Sequence, residues 1–187
     1  MTRVAIIGAG ISGLACARQL VKAGVSVVVF DKGRGIGGRV ATRRAGDLQF
    51  DHGAPFVRAQ RDDFSALLTS LTGGGSAASW TDDKGVTWTV GSPAMSAIPK
   101  AMGVGLDVRL GTQILKVTAD QFGWHLHYGE TQYVATHIVV TVPKPQIAGL
   151  LDYAHPLVAQ LGDVKMEPGL TLMAAVSGSA PLIAKNL

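Results

Sequence analysis

Gly8-Ala9-Gly10-Ile11-Ser12-Gly13 and Gly33-Arg34-Gly35-Ile36-Gly37-Gly38-Arg39 decide the reading of this chain, with Asp31-Lys32 just ahead of the second turn. The first turn follows Arg3 to Ile7, a short apolar, β-branched run of the kind that forms a strand buried on both faces of a parallel sheet. It leads into Ser12 to Ala23, where Gly13, Ala17, Leu20, Val21 and Gly24 recur at helical spacing. Val25 to Phe30 reads as a second buried strand. Together they predict a βαβ unit whose right-handed crossover sets the helix start beside the carboxyl ends of both strands.

The G-x-G-x-x-G pattern is weak by itself in a chain with 24 glycines, so its setting has to decide. Gly8 permits a tight turn, Gly10 lets a pyrophosphate approach with no Cβ in the way, and Gly13 lets the helix pack closely on the strand. Free amides at the helix start, aided by the helix dipole, favour phosphate charge. Asp31, eighteen residues after Gly13, is suited to accept hydrogen bonds from both hydroxyls of a ribose, and its charge disfavours a 2′-phosphate. These features fit the ADP half of a dinucleotide. Gly37-Gly38 lets backbone pass beside that ligand, and Arg39 offers a planar fork of donors to the pyrophosphate. A simple NAD dehydrogenase needs neither, so the second turn favours FAD over NAD. The competing readings are a glycine turn of another α/β protein and a flexible surface loop.

Composition is consistent with a folded protein. The 187 residues are 47% apolar and 16% charged, enough for a packed core. Lys and Arg outnumber Asp and Glu by 17 to 13, with part of the excess at Arg34, Arg39, Arg43 and Arg44. These arginines flank a phosphate-binding turn without interleaved aromatics, which favours a phosphate-bearing small ligand over nucleic acid. The lone Cys16 cannot form an internal disulfide and reads as a small buried hydrophobe on the first helix. The N-terminal apolar run is broken at once by Gly8 and Gly10, so neither a secretion signal nor a membrane span is expected, and a cytoplasmic setting is inferred.

Further along, Lys32 to Asp47 is Gly- and Arg-rich without a period, a loop expected to need a ligand to order it. Arg61 to Leu71 predicts a helix, ended by a linker-like Gly73-Gly74-Gly75-Ser76. Trp80 and Trp88 flank an Asp82-Asp83-Lys84-Gly85 turn, a hairpin signature. Ser96 is placed to cap a helix running to Met102. Leu106 to Arg109 reads as a sheet strand, and Gln113 to Ala119, Trp124 to Tyr128 and Gln132 to Thr136 as an antiparallel meander. Ile138 to Val142 is apolar throughout, hence a central parallel strand, which Pro143 and Pro145 end before a short helix near Gln146 to Leu151. Leu170 to Val176 is strand-like. His125 and His127 share a strand face, but with no third ligand in view they read as solvent-facing residues, and no metal site is expected.

The strand and turn Val4 to Gly13, Asp31-Lys32 with Gly37-Gly38-Arg39, and Asp51-His52-Gly53-Ala54 resemble the N-terminal half of the flavin-containing amine oxidase superfamily. Their order, followed by Ile138 to Pro143, is most similar to renalase-like proteins. The resemblance is strongest over residues 3–57. It implies an α/β, Rossmann-like FAD-binding domain of the glutathione-reductase type, with an antiparallel β-meander and the start of a substrate domain. It implies FAD as cofactor, held by Gly8, Gly10, Ile11, Ser12, Gly13, Asp31, Lys32, Gly37, Gly38, Arg39, Gly53, Ala54, Pro55 and Gly111. Ser12 and Arg39 would contact the phosphates, Asp31 the adenosine ribose, Gly53, Ala54 and Pro55 the flavin side, and backbone near Gly111 the adenine. Thr141 to Pro143 would lie where the sheet passes the cofactor. Residues 1–72 would be the βαβ unit and FAD loop, 73–103 the start of a substrate-domain insertion, 104–152 the return with the meander, and 153–187 an incomplete second substrate segment.

The implied activity is that of an FAD-dependent oxidoreductase accepting hydride from a small molecule, either a reduced nicotinamide dinucleotide of the wrong isomer or an amine. No residue is assigned a catalytic role; His52 is a candidate to face the flavin or to make a structural hydrogen bond. Relatives continue with a late strand, a Gly-Asp turn and a helix that this chain does not show, so a truncated chain with an exposed apolar sheet edge is expected. The alternative is a nucleotide-binding module without turnover.

Overall fold

Strand β1 (Arg3–Ile7) is the centre of the molecule because four of its five residues are apolar and buried, which leaves only a two-sided sheet position open to it. The computed structural model describes residues 1–175. After β1 come α1 (Ile11–Lys22), β2 (Ser26–Phe30), β3 (Thr42–Ala45), β4 (Leu48–Asp51), α2 (Asp62–Gly73), β5 (Ala77–Thr81) and β6 (Thr87–Gly91). They are followed by α3 (Ala97–Gly103), β7 (Val108–Arg109), β8 (Lys116–Asp120), β9 (Gly123–Tyr128), β10 (Thr131–Ala135), β11 (His137–Val140), α4 (Lys144–Leu151) and α5 (Pro156–Gln160). Four strands form a parallel sheet in the order β11-β1-β2-β7, with Ile6 opposite Val29 on one side and Val139 on the other.

The two faces of that sheet are covered differently. Val4, Ile6 and Val29 pack toward Leu14 and Ala17 of α1 and Ile98 and Met102 of α3. Ala5, Ile7, Val28 and Phe30 pack toward Val117, Leu126 and Ala135 of a three-stranded antiparallel sheet, β10-β9-β8, and toward Leu150 and Leu151 of α4. Helices, parallel sheet and meander therefore form three layers. Ile6, Leu14, Val29 and Phe30 are fully buried, each worth about 1.5–3 kcal/mol of transfer free energy. Phe30 meets Tyr133 edge-on, with ring centroids 5.3 Å apart.

Several expectations match closely. The first strand, the first helix and the second strand lie within one residue of their expected bounds, and Trp80 pairs with Trp88 across the β5–β6 hairpin. Cys16, expected to be buried, is only half-buried beside the helix-side core. Val21, by contrast, is 44% exposed, because the buried stripe of α1 runs through Gly13, Leu14 and Ala17.

Other expectations are corrected. The Lys32 to Asp47 segment is not one aperiodic loop: residues 42–51 make an antiparallel hairpin, with Thr42 opposite Asp51. Gly73 to Ser76 is no linker. It is a tight C-terminal turn in which the Ser76 amide donates to the Leu71 carbonyl at 2.9 Å and Gly75 takes φ +74°. Ser96 sits at the N-cap of α3 without a capping side-chain bond. The hairpin meets the free amides instead, Met95 donating to Asp51 at 3.1 Å and Ser96 to the Thr42 hydroxyl at 3.1 Å. Among the described residues β11 is the end strand of the parallel sheet rather than a central one. Leu170 to Ala175 forms no strand, since it has no partner there, and Leu170 and Leu172 are over 90% exposed. Val176 lies outside the described residues.

Candidate functional site

A cleft of ≈ 620 Å³ opens where the carboxyl ends of β1, β2 and β11 meet the start of α1. Gly8 takes φ +112°, and a Cβ there would lie 2.7 Å from the Thr141 hydroxyl. Its amide donates to the Phe30 carbonyl at 2.8 Å, locking the turn to β2. A Cβ on Gly13 would stand 2.0 Å from the Gly8 carbonyl oxygen, so α1 reaches its distance from the sheet only with glycine there. Gly10 differs: nothing lies within 4 Å of where its Cβ would be, and it lines the cleft. No side chain caps α1 and its first turn holds no acidic residue. Its leading amides and the positive end of its dipole are thus left for a ligand.

The second turn is tied to the first by the chain's own bonds. The Asp31 carboxylate accepts from the Ala9 amide at 2.6 Å and from the Gly33 amide at 2.7 Å, one oxygen each. Each oxygen keeps a second lone pair, and Asp31 lines the cleft. Gly37 donates to the Ala9 carbonyl at 3.0 Å and bridges Gly10 in parallel. Gly37 and Gly38 have φ +132° and +55°, which favour glycine. Arg39 follows them, exposed at the cleft wall and without an ion pair among the described residues.

Of the expected cofactor residues, Gly8, Gly10, Ile11, Ser12, Asp31, Lys32, Gly37, Gly38 and Arg39 line this one cleft, as do Thr141, Val142 and Pro143. Gly13 stands behind it as a packing residue. Gly53, Ala54, Pro55 and Gly111 do not line it. Gly53 and Ala54 instead back the second turn: the Ala54 amide donates to the Arg39 carbonyl at 2.9 Å, and a Gly53 Cβ would be 2.1 Å from that oxygen. Gly111 (φ +63°) donates to the Gly33 carbonyl at 2.9 Å and turns the chain into Thr112–Leu115, which do line the cleft. The sequence reading missed Thr112 to Leu115, Gln146, Gly149 and Leu150. Gln146 had a usable signal, since Pro143 and Pro145 fix the start of α4 at the sheet's carboxyl edge.

The remaining candidates carry structure. The His52 carbonyl accepts from the Thr171 hydroxyl at 3.1 Å. His125 and His127 lie on the meander face opposite Leu126, half-buried and tied across strands, His127 Nε2 being 2.9 Å from the Thr118 hydroxyl. His125 Nε2 is 3.0 Å from Asp120 but not aligned for a hydrogen bond, and Nδ1 is 3.2 Å from Gln132 Oε1. The Asp120 carboxylate raises the His125 pKa above its ordinary value, and His125 in turn, with the Phe122 amide, lowers that of Asp120. Among the described residues no group of three or more His, Cys, Asp or Glu side chains could hold a metal ion, and no helix is long and apolar enough to cross a membrane.

Comparison with known proteins bears on the same region. Residues 6–71 match the NAD(P)-binding Rossmann-like domain family. AofH of Mycobacterium tuberculosis, named for a flavin-containing monoamine oxidase, is 40% identical over 68 residues, which are 36% of this chain and 15% of that protein. Protoporphyrinogen oxidase 2 of Arabidopsis thaliana is 36% identical over 69 residues, 37% of this chain and 14% of that one. A solved putrescine oxidase variant superposes with a TM-score of 0.66 at 15% identity, covering 83% of this chain and 62% of its own. The chain thus matches less than two thirds of each of these proteins. The Rossmann-like α/β fold is shared, and the sequence similarity over the first third of the chain is to proteins named as oxidases, AofH among them as flavin-containing.

Proposed function

We propose that this chain binds FAD and forms the nucleotide-binding part of an FAD-dependent oxidoreductase. The observation that carries the reading is the convergence on one cleft of an uncapped helix start, the open face of Gly10, the held Asp31 carboxylate and Arg39, which has no ion pair among the described residues. An anionic diphosphate fits there better than any side chain present. The amides at Ile11 and Ser12 would hold one side of the pyrophosphate and the Arg39 guanidinium the other. Asp31 would use its free lone pairs on the adenosine ribose, and Thr141 to Pro143 would flank the path toward the reactive ring. Bound there, FAD would supply hydride acceptance, while the chain supplies position and electrostatics.

The three-layer order of helices, parallel sheet and meander supports the glutathione-reductase-type reading. The relatives named for monoamine and protoporphyrinogen oxidation support a small-molecule reductant. Within that class we favour the renalase-like choice, a reduced nicotinamide dinucleotide isomer, with an amine as the second. Gly53 and Ala54 enter as supports of the second turn, and Gly111 as support of the 112–115 strip. A cytoplasmic setting fits such a substrate.

The test is to mix the purified chain with FAD, remove free ligand by gel filtration and record the visible spectrum before and after adding reduced dinucleotide or amine. Retained flavin that bleaches on reduction supports the proposal. Retained flavin that neither reductant bleaches identifies a nucleotide-binding module without turnover, and a colourless protein overturns the reading.

A further inference from the structure

Lys32 and Gln146 come from opposite sides of the cleft, one after β2 and the other on α4 after β11, yet Lys32 Nζ donates to Gln146 Oε1 at 3.1 Å. Strands β2 and β11 are both neighbours of β1, so they stand about 9–10 Å apart across it. The two side chains therefore extend toward each other over the carboxyl end of β1. The apolar part of the cleft lining includes Ile7, Ile114 and Leu150. Asp31, assigned above to the ribose, directly precedes Lys32, whereas Gly10, Ser12 and Arg39 are assigned to the phosphates.

We infer that Gln146 is a specificity-determining residue for the nucleobase of the bound dinucleotide and that Lys32 is its positioning residue; the inference rests on the dinucleotide reading above. An ammonium only donates, so it fixes which end of the Gln146 amide faces it. With Oε1 committed to Lys32, the Nε2 group is left as a donor in the cleft lining, and no acceptor for it is found among the described residues. A ring with an acceptor nitrogen on its edge, as in a purine, satisfies that donor. A base that presents only carbon there leaves it unpaired.

Gln146→Glu separates the two roles, because it keeps an acceptor for Lys32 and removes the donor, while Gln146→Ala removes both. Titration calorimetry on the whole chain would compare ADP with ribose 5-diphosphate, two probes of nearly equal charge, so that the ratio of their affinities isolates the base. The expected result is a ratio that falls about tenfold, the scale of one hydrogen bond, in both variants, with their circular dichroism unchanged. A Gln146→Glu ratio equal to that of the parent chain makes the pair a structural strap and overturns the inference while leaving dinucleotide binding intact. A parent chain that binds neither probe overturns both readings.

Discussion

Gly10 and Gly13 are three residues apart and glycine for opposite reasons. A Gly13 Cβ meets the Gly8 carbonyl oxygen at 2.0 Å, inside any tolerable contact, whereas Gly10 faces open cleft with φ −77° and ψ 177°, allowed to any residue. Gly13→Ala is therefore expected to lose about 3 kcal/mol or more of unfolding free energy in urea titration. Gly10→Ala is expected to stay within about 0.5 kcal/mol of the parent while FAD affinity drops at least about tenfold, read by flavin fluorescence titration. A Gly10→Ala protein that binds FAD normally would put the ligand elsewhere. Both roles were legible in the sequence, because spacing against the strand and helix assigns each glycine its task. The double engagement of Asp31 was not legible, since carboxylate reach depends on how far the second turn folds back.

At the level of elements, the β3–β4 hairpin escaped the sequence reading. Thr42-Arg43-Arg44-Ala45 lacks the apolar alternation that marks a half-buried strand, and all but Thr42 are exposed. What fixes the hairpin is polar: Asp51 accepts from the Thr42 hydroxyl at 2.5 Å and from the Met95 amide, tying the hairpin to α3. Asp51→Ala is expected to cost about 1–2 kcal/mol, the range of a lost helix cap, and to raise hydrogen exchange at the Met95 and Ser96 amides first.

The β8–β9 turn gives a pH signature. His125 is raised, so its contribution to stability is fully present below the unfolded value of about 6.5 and is lost as pH climbs through the folded value. Asp120 is lowered, so its contribution is present above about 3.9 and is lost as pH falls through its folded value. The contact is strongest between those limits and, with the Asp120 side chain exposed to solvent screening, small. NMR titration is expected to place the His125 midpoint above that of an unperturbed histidine side chain, and Asp120→Asn to bring it back down.

For the whole molecule, the parallel sheet, its helical cover and the meander were readable because buried runs and alternating runs obey different periods. The position of β11 in the sheet was less so: Ile138 to Val142 shows that the strand is apolar, not how many neighbours it has. The cleft residues on α4 and in 112–115 were missed for a related reason, since topology alone brings segments more than a hundred residues from Gly8 to its side. Coupling between site and fold follows. FAD at about one hundred times its dissociation constant is expected to add about 2.7 kcal/mol to unfolding, measured by urea titration with and without cofactor. No added stability at saturation would mean that the unfolded chain binds equally well.

The segment after β2 was expected to stay loose until a ligand gathered it, yet Asp31, Gly37 and the hairpin hold it through bonds within the chain. A guest arriving at this doorway finds its frame already standing. Collision rather than rearrangement then sets the pace of capture, and stopped-flow traces should quicken in proportion to FAD concentration without levelling off.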